Sequence, residues 1–323
     1  MAFVLRIDLE QFPQIYEVSG IVISNVSFVF ATRFLYSLVE FKFKSERIAF
    51  LSAVFFSINP ASVFMSAVYT ESLFTMLHFS GLFFLFGSNE PRFLPACMSF
   101  FIASSLRSNG TLHLVYFFVA AIDMIMQGGK SFRFAFFLLV RALSGVTSCV
   151  LPSMLFALYV RSNFCLNNQS TEDQPYCVTS ILPAFYNHVQ SKYWNVGLFR
   201  YYTLSQLPNH LLGVPMIIIC CAAIIVYLHH QWISFVSLGI LSSPRKSVFS
   251  SLRVFMYVLL VQVIICLTIL HTQVSTRFLC SSPVPFVFIA LLNPNPFWRL
   301  YISYSLIFNS VGIVLFTNFL PWT

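Results

Sequence analysis

A few places in this chain set ionisable or hydrogen-bonding side chains among apolar residues. Glu71 follows Tyr69-Thr70 at the edge of an apolar run. A carboxylate is costly to bury in such a setting unless it is paired, which makes Glu71 a candidate for function. It also suits the first turn of a helix, where negative charge is favoured. Arg107 ends a short apolar stretch ahead of Ser108-Asn109-Gly110. Its guanidinium could grip a phosphate through two parallel hydrogen bonds, or snorkel to a membrane interface. Thr276-Arg277-Phe278, after His271, Thr272 and Gln273, presents the same choice. Tyr193-Trp194-Asn195 and Tyr201-Tyr202 could stack on sugar rings or form an interfacial aromatic belt. His229-His230 lacks the acidic or Cys company of a metal site, and no phosphate-binding glycine loop or nucleophile elbow is present. Taken by themselves, these residues define a polar cluster and not a reaction.

The elements that must carry them are apolar. Hydrophobic residues make up 58% of the chain and charged ones 9%, with a mean hydropathy of +0.81. Soluble domains carry about 25% charged residues, so this chain cannot cover a water-facing surface, and its hydrophobicity excludes a disordered chain. The net charge of +8 is spread between apolar runs and not gathered on one face, which argues against nucleic acid. A membrane-spanning helix needs about 20 apolar residues, and fewer where it is buried in protein. Ten segments fit: 18–39, 48–59, 68–87, 94–106, 111–127, 134–160, 209–229, 251–270, 278–292 and 300–319. Pro60, Asn109-Gly110 and Pro283/Pro285 mark breaks. The predicted architecture is an all-α, polytopic membrane domain over residues 1–323, with a polar loop at about 161–208.

Charge sets its orientation. One alternation of the segments puts loops 40–47, 88–93, 128–133, 230–250 and 293–299 in the cytoplasm. With Arg253 these hold ten Lys and Arg, against six on the other face despite its longer loop, in line with the positive-inside rule. Both chain ends then face the lumen or exterior, and Met1 to Val18 lacks the apolar centre of a cleavable signal. The segments from Asn59 to Glu71, Arg107 to Asn109, Tyr193 to Gln206 and His271 to Arg277 all fall at the non-cytoplasmic surface. Asp123 falls near the cytoplasmic end of its span and reads as structural. Cys165 and Cys177 share the long loop, where a disulfide and two free thiols are both open. Of the sequons at Asn25, Asn109 and Asn168, only Asn168 lies in a loop able to reach a glycosylation enzyme.

The polar segments also carry a family resemblance. Asn59-Pro60-Ala61-Ser62-Val63-Phe64 followed by Tyr69-Thr70-Glu71-Ser72-Leu73-Phe74, then Arg107-Ser108-Asn109-Gly110, resemble blocks of the PIG-V family. So do Tyr193-Trp194-Asn195-Val196-Gly197 with Tyr201-Tyr202, Gln206, Pro208 and Asn209, and Gln273 with Thr276-Arg277-Phe278-Leu279 and Ser281-Ser282-Pro283. The closing Asn318-Phe319-Leu320-Pro321-Trp322-Thr323 is similar to the family's ending. The blocks occur in family order from about residue 20 onward. That family is the second mannosyltransferase of glycosylphosphatidylinositol (GPI) anchor assembly.

The resemblance implies a GT-C-type glycosyltransferase of the endoplasmic reticulum membrane, with its active face lumenal. It implies transfer of an α-1,6-linked mannose from dolichyl-phosphate-mannose to the GPI precursor, with no cofactor or metal and with a small membrane partner subunit possible. Substrate binding would fall to Asn59, Tyr69, Arg107, Asn109, Trp194, Asn195, Tyr201, Tyr202, Gln206 and Arg277. The family also has an earlier lumenal Trp-Asp loop followed by Phe-Phe-Pro, whose Asp is the usual candidate base. Neither motif is found here, and Asp8 and Glu10 do not match it, so the chain is expected to lack the family's N-terminal part. Glu71 is then the one lumenal-face acid within a family block. A positioned base contributes about 10²–10⁴-fold, so a catalytically inactive fragment or a scaffold of the same pathway stays open, as does a membrane transporter.

Overall fold

The computed structural model describes residues 14–127, 132–165, 177, 185–241, 248–292 and 296–318. Every regular element among them is helical, and each of the ten predicted segments is found as helix. In chain order the helices are α1 (Gln14–Phe43), α2 (Glu46–Ser57), α3 (Ser62–Ser66), α4 (Glu71–Phe86), α5 (Phe93–Leu106), α6 (His113–Gln127), α7 (Phe132–Val160) and α8 (Phe185–Tyr193). They continue with α9 (Leu207–Val236), α10 (Arg253–Thr268), α11 (Ser275–Cys280), α12 (Val284–Leu291) and α13 (Pro296–Thr317). Among the described residues, six helical stretches, containing α1, α6, α7, α9, α10 and α13, are long and apolar enough to cross a membrane, and α11–α12 count as a seventh if that bent pair is one span. The chain is a multi-span membrane protein.

Two of the predicted segments are interrupted, for a local reason. Segment 68–87 begins as helix only at Glu71, because Ala67 is extended at the end of α3. Segment 278–292 is split, and its halves are bent by 75°. Pro283 caps α12 and Pro285 follows in its first turn, where a missing N–H costs nothing. The predicted polar loop 161–208 is not all loop: it opens with a π-helical turn at Arg161–Cys165 and contains α8.

The chain forms two compact units. The first holds the described residues within Met1–Ser99, Ser250–Leu252 and Thr276–Thr323. Here α1 packs along α4 and α2, and α12 packs on α2. Phe56 sits at the centre, its ring against Phe28, Phe79 and Phe286. The second unit holds those within Phe100–Phe249 and Arg253–Ser275. Here α6 packs on α7 and α10, and α9 packs on α10 and on a 3-10 turn at Thr272–Val274. Asp123 on α6 pairs with Arg253 at the start of α10, so its predicted structural role has a concrete partner. Gly239 makes room for that arginine: it adopts φ +85°, and a Cβ there would collide with the guanidinium.

Candidate functional site

In the first unit the polar residues gather around the start of α4. Glu71 is its first residue and is 4% exposed. Its Oε1 lies 3.6 Å from Nη1 of Arg277 on α11. The guanidinium also lies over the Phe64 ring, 4.8 Å from its centre, and 6.0 Å from that of Tyr69. An aromatic face attracts a cation and shields it from water. Two segments far apart in sequence thus form one buried acid–base pair with an aromatic floor. Tyr69 is exposed; its ring also meets Phe316, and its carbonyl accepts from Ser24. Asn59 is placed differently. It is fully buried, its amide donates to the Phe56 carbonyl at 2.7 Å, and its Oδ1 accepts from Ala61 N at 2.8 Å. The carbonyl of Asn59 in turn accepts from Asn309 at 2.9 Å. The side-chain amide of Asn59 is engaged in turning the chain between α2 and α3.

In the second unit two groups form, at opposite ends of α8. Near its start, Arg107 caps a 3-10 turn at Ser108–Leu112 and borders a cavity of about 490 Å³. The Ser108 hydroxyl donates to that of Tyr186 at 2.9 Å. Asn109 Oδ1 is buried and has no hydrogen-bond partner among the described residues. Gly110 is required by packing, because a Cβ there would stand 2.4 Å from Ser104 Cα.

Beyond the end of α8, Trp194 is exposed, and Asn195 takes φ +50°, a left-handed conformation that Asn tolerates better than most residues. Tyr201 is buried and stacks on His271 with centroids 4.1 Å apart. Its hydroxyl donates to Gln273 Oε1 at 3.2 Å. Burial raises the Tyr201 phenol above its ordinary value, with the Asn209 side chain pulling the other way, so the group stays a donor. Tyr202 stacks on His210 at 5.1 Å and donates to the Leu267 carbonyl at 2.7 Å. His210 Nδ1 is 2.7 Å from Thr272 Oγ1, and Gln206 Oε1 accepts from Asn209 at 2.6 Å. Burial lowers the His271 pKa, while the carbonyls of Trp194 and Asn195 pull upward.

The structure therefore brings Glu71, Tyr69 and Arg277 together, and separately Tyr201, Tyr202 and Gln206. Arg107 borders the cavity at the start of α8, and the Tyr201 group gathers beyond its end. Sequence reasoning missed His210. Its one signal was adjacency to Pro208-Asn209, since an isolated His on an apolar helix carries no pattern of its own. The loop cysteines, left open above, are joined as a Cys165–Cys177 disulfide. Asn168 and the closing Phe319–Thr323 lie outside the described residues.

Comparison with known proteins agrees with the geometry at family level. The family model described as mannosyltransferase (PIG-V) matches residues 8–323. The human GPI alpha-1,6-mannosyltransferase 2 is 28% identical over 355 residues, covering 85% of this chain and 70% of the relative. GPI mannosyltransferase 2 of Drosophila pseudoobscura pseudoobscura is 30% identical, covering 90% of this chain and 71% of its own length. The Aspergillus oryzae protein of the same name is 32% identical, covering 66% and 53%. No solved structure matches the chain.

Proposed function

The chain belongs to the PIG-V mannosyltransferase family, and from that premise we propose that it transfers a mannose in α-1,6 linkage to the GPI precursor. The donor is dolichyl-phosphate-mannose, and the reaction face is the lumenal surface of the endoplasmic reticulum membrane. The observation that carries this reading is the buried Glu71–Arg277 pair. Transfer to a hydroxyl needs a group that takes its proton. It also needs positive charge where the phosphate leaves. Glu71 and Arg277 are side chains of those two kinds, held side by side on the aromatic floor of Phe64 and Tyr69. The aromatic residues around Tyr201 offer flat faces to sugar rings. The reading calls for no metal or cofactor, because the donor is already activated as a phosphodiester.

The test is expression in cells that lack the second GPI mannosyltransferase. The wild-type chain is expected to restore surface GPI-anchored proteins, and Glu71→Gln and Arg277→Ala to abolish the restoration. Removing one member of a buried pair also destabilises, by about 3–5 kcal/mol in soluble proteins. The double variant Glu71→Gln/Arg277→Gln leaves no unpaired charge and separates the two effects. It is expected to accumulate near wild-type level yet give no restoration. Restoration by that variant would remove both residues from the chemistry, and failure of the wild-type chain would overturn the assigned reaction.

A further inference from the structure

The end of α9 remote from the Tyr202–His210 stack bends over on itself. From Leu207 to Gln231 the helix is about 37 Å long at 1.5 Å per residue, against an apolar bilayer core of about 30 Å. At Gln231 the backbone leaves helical geometry, with φ −132° and ψ 23°. On a straight helix Tyr227 and Phe235 would stand about 12 Å apart along the axis, yet their ring centroids are 5.8 Å apart. The segment past the kink thus folds across the helix end instead of running straight on into water. Its inner side is pinned to the start of α10. Phe235 stacks on Tyr257 at 4.5 Å, the Tyr257 hydroxyl donates to the Phe235 carbonyl at 2.8 Å, and Arg253 donates to the Leu238 carbonyl.

The outer side is apolar. Trp232, Val236, Ile240 and Leu241 are each more than half exposed, and no Asp, Glu, Lys or Arg occurs between Gln231 and Leu241. They extend a surface that already meets lipid: Leu211, Ile218 and Ile225 recur every seventh position along the membrane-crossing part of α9 and are exposed as well. The Asp123–Arg253 pair marks their depth, because Arg253 holds both that carboxylate and the Leu238 carbonyl. An ion pair is costly in the middle of the hydrocarbon, so this one places the segment where acyl chains give way to headgroups. Tryptophan favours that level, with its ring in an apolar setting and its N–H near water. We infer that residues 232–241 form an interfacial lip, whose partner is the boundary between lipid headgroups and acyl chains. An anchor at this level fixes the depth of α9, and with it the height of the Tyr202–His210 stack at the other end.

The test needs no turnover and does not depend on the mannosyl-transfer reading. The full chain is placed in phosphatidylcholine nanodiscs. It has four Trp, and the difference in emission between wild type and Trp232→Phe isolates Trp232. That emission is expected to be blue-shifted, as for an indole at the membrane interface. Lipids brominated high on the acyl chain are expected to quench it more than lipids brominated near the chain end, and acrylamide only weakly. Val236→Glu leaves the inner contacts of Phe235 and Leu238 in place and sets a charge on the outer side. Read against the same change in the Trp232→Phe background, it is expected to shift Trp232 emission to the red and open the indole to acrylamide. Free access of acrylamide in the wild type, strongest quenching by the deep bromine, or indifference to Val236→Glu overturns the assignment. So does an indole shielded from bromolipid and acrylamide alike, which would mean that protein, such as a second copy of the chain, covers the lip. A phospholipid carrying its diazirine near the headgroup probes the wild-type chain alone. Peptides within 232–241 are expected to be labelled, and their absence from the labelled set overturns the assignment even if a variant fails to fold.

Discussion

His271 shows what burial does to a single side chain. Its ring lies between the stacked Tyr201 and the carbonyls of Trp194 and Asn195. Burial lowers its pKa from the ordinary 6.5, so the neutral ring is the folded form. As pH falls below about 6.5 the unfolded chain takes up the proton first, and stability declines through that window until the folded form is protonated too. The thermal midpoint of wild-type protein in detergent is therefore expected to drop between about pH 7.5 and about pH 5.5 by more than that of His271→Gln. Equal drops would mean that this histidine does not set the pH response. Gly110 shows the complementary lesson. In the sequence it reads as part of a family block, yet its need is steric, since only a residue without Cβ allows the turn to approach Ser104. Asn59 likewise reads as a binding residue and is found holding a turn.

At the scale of elements, the connection from α7 to α9 changes most between sequence and structure. It is polar and long enough to read as loop, but its beginning is a π-helical turn stapled to Cys177, and its latter part contains α8. The disulfide closes a short loop and limits the freedom of the unfolded chain. Six cysteines are free among the chain's eight. Alkylation of denatured, unreduced protein is expected to add six labels by mass spectrometry, and eight after reduction. Eight labels without reduction would show that the bridge does not form in cells. After α8, the connection carries the aromatic residues that meet α9 and the 272–274 turn. Gly213 on α9 permits that contact, because a Cβ there would stand 2.1 Å from the Thr272 carbonyl.

For the whole molecule, charge and redox chemistry point the same way. The positive-inside alternation leads to the expectation that the 161–208 connection lies outside the cytoplasm, and the Cys165–Cys177 disulfide suits an oxidising compartment. Asn168 lies in the same connection. Cells are therefore expected to glycosylate Asn168, with an endoglycosidase H shift lost in Asn168→Gln and kept in Asn25→Gln. Asn25 is on α1, where its amide donates to the carbonyls of Ile21 and Ser66 and is out of reach of the enzyme. A shift that survives Asn168→Gln would place that connection on the wrong side of the membrane or the sugar at another site.

Apolar run length and proline position are local quantities, and they alone specified the helices, their breaks and the membrane setting. The order of short polar blocks along the chain specified the family. Contacts between distant segments are not local, and only packing decided them. It set Glu71 against Arg277 on an aromatic floor, added an unmarked His210 to the tyrosine cluster, and opened the cavity between α7 and the turn after Arg107. Sequence states which side chains are available near a membrane face. Which of them meet is set by how helices that bury apolar surface can fit together, and no spacing rule along the chain encodes that.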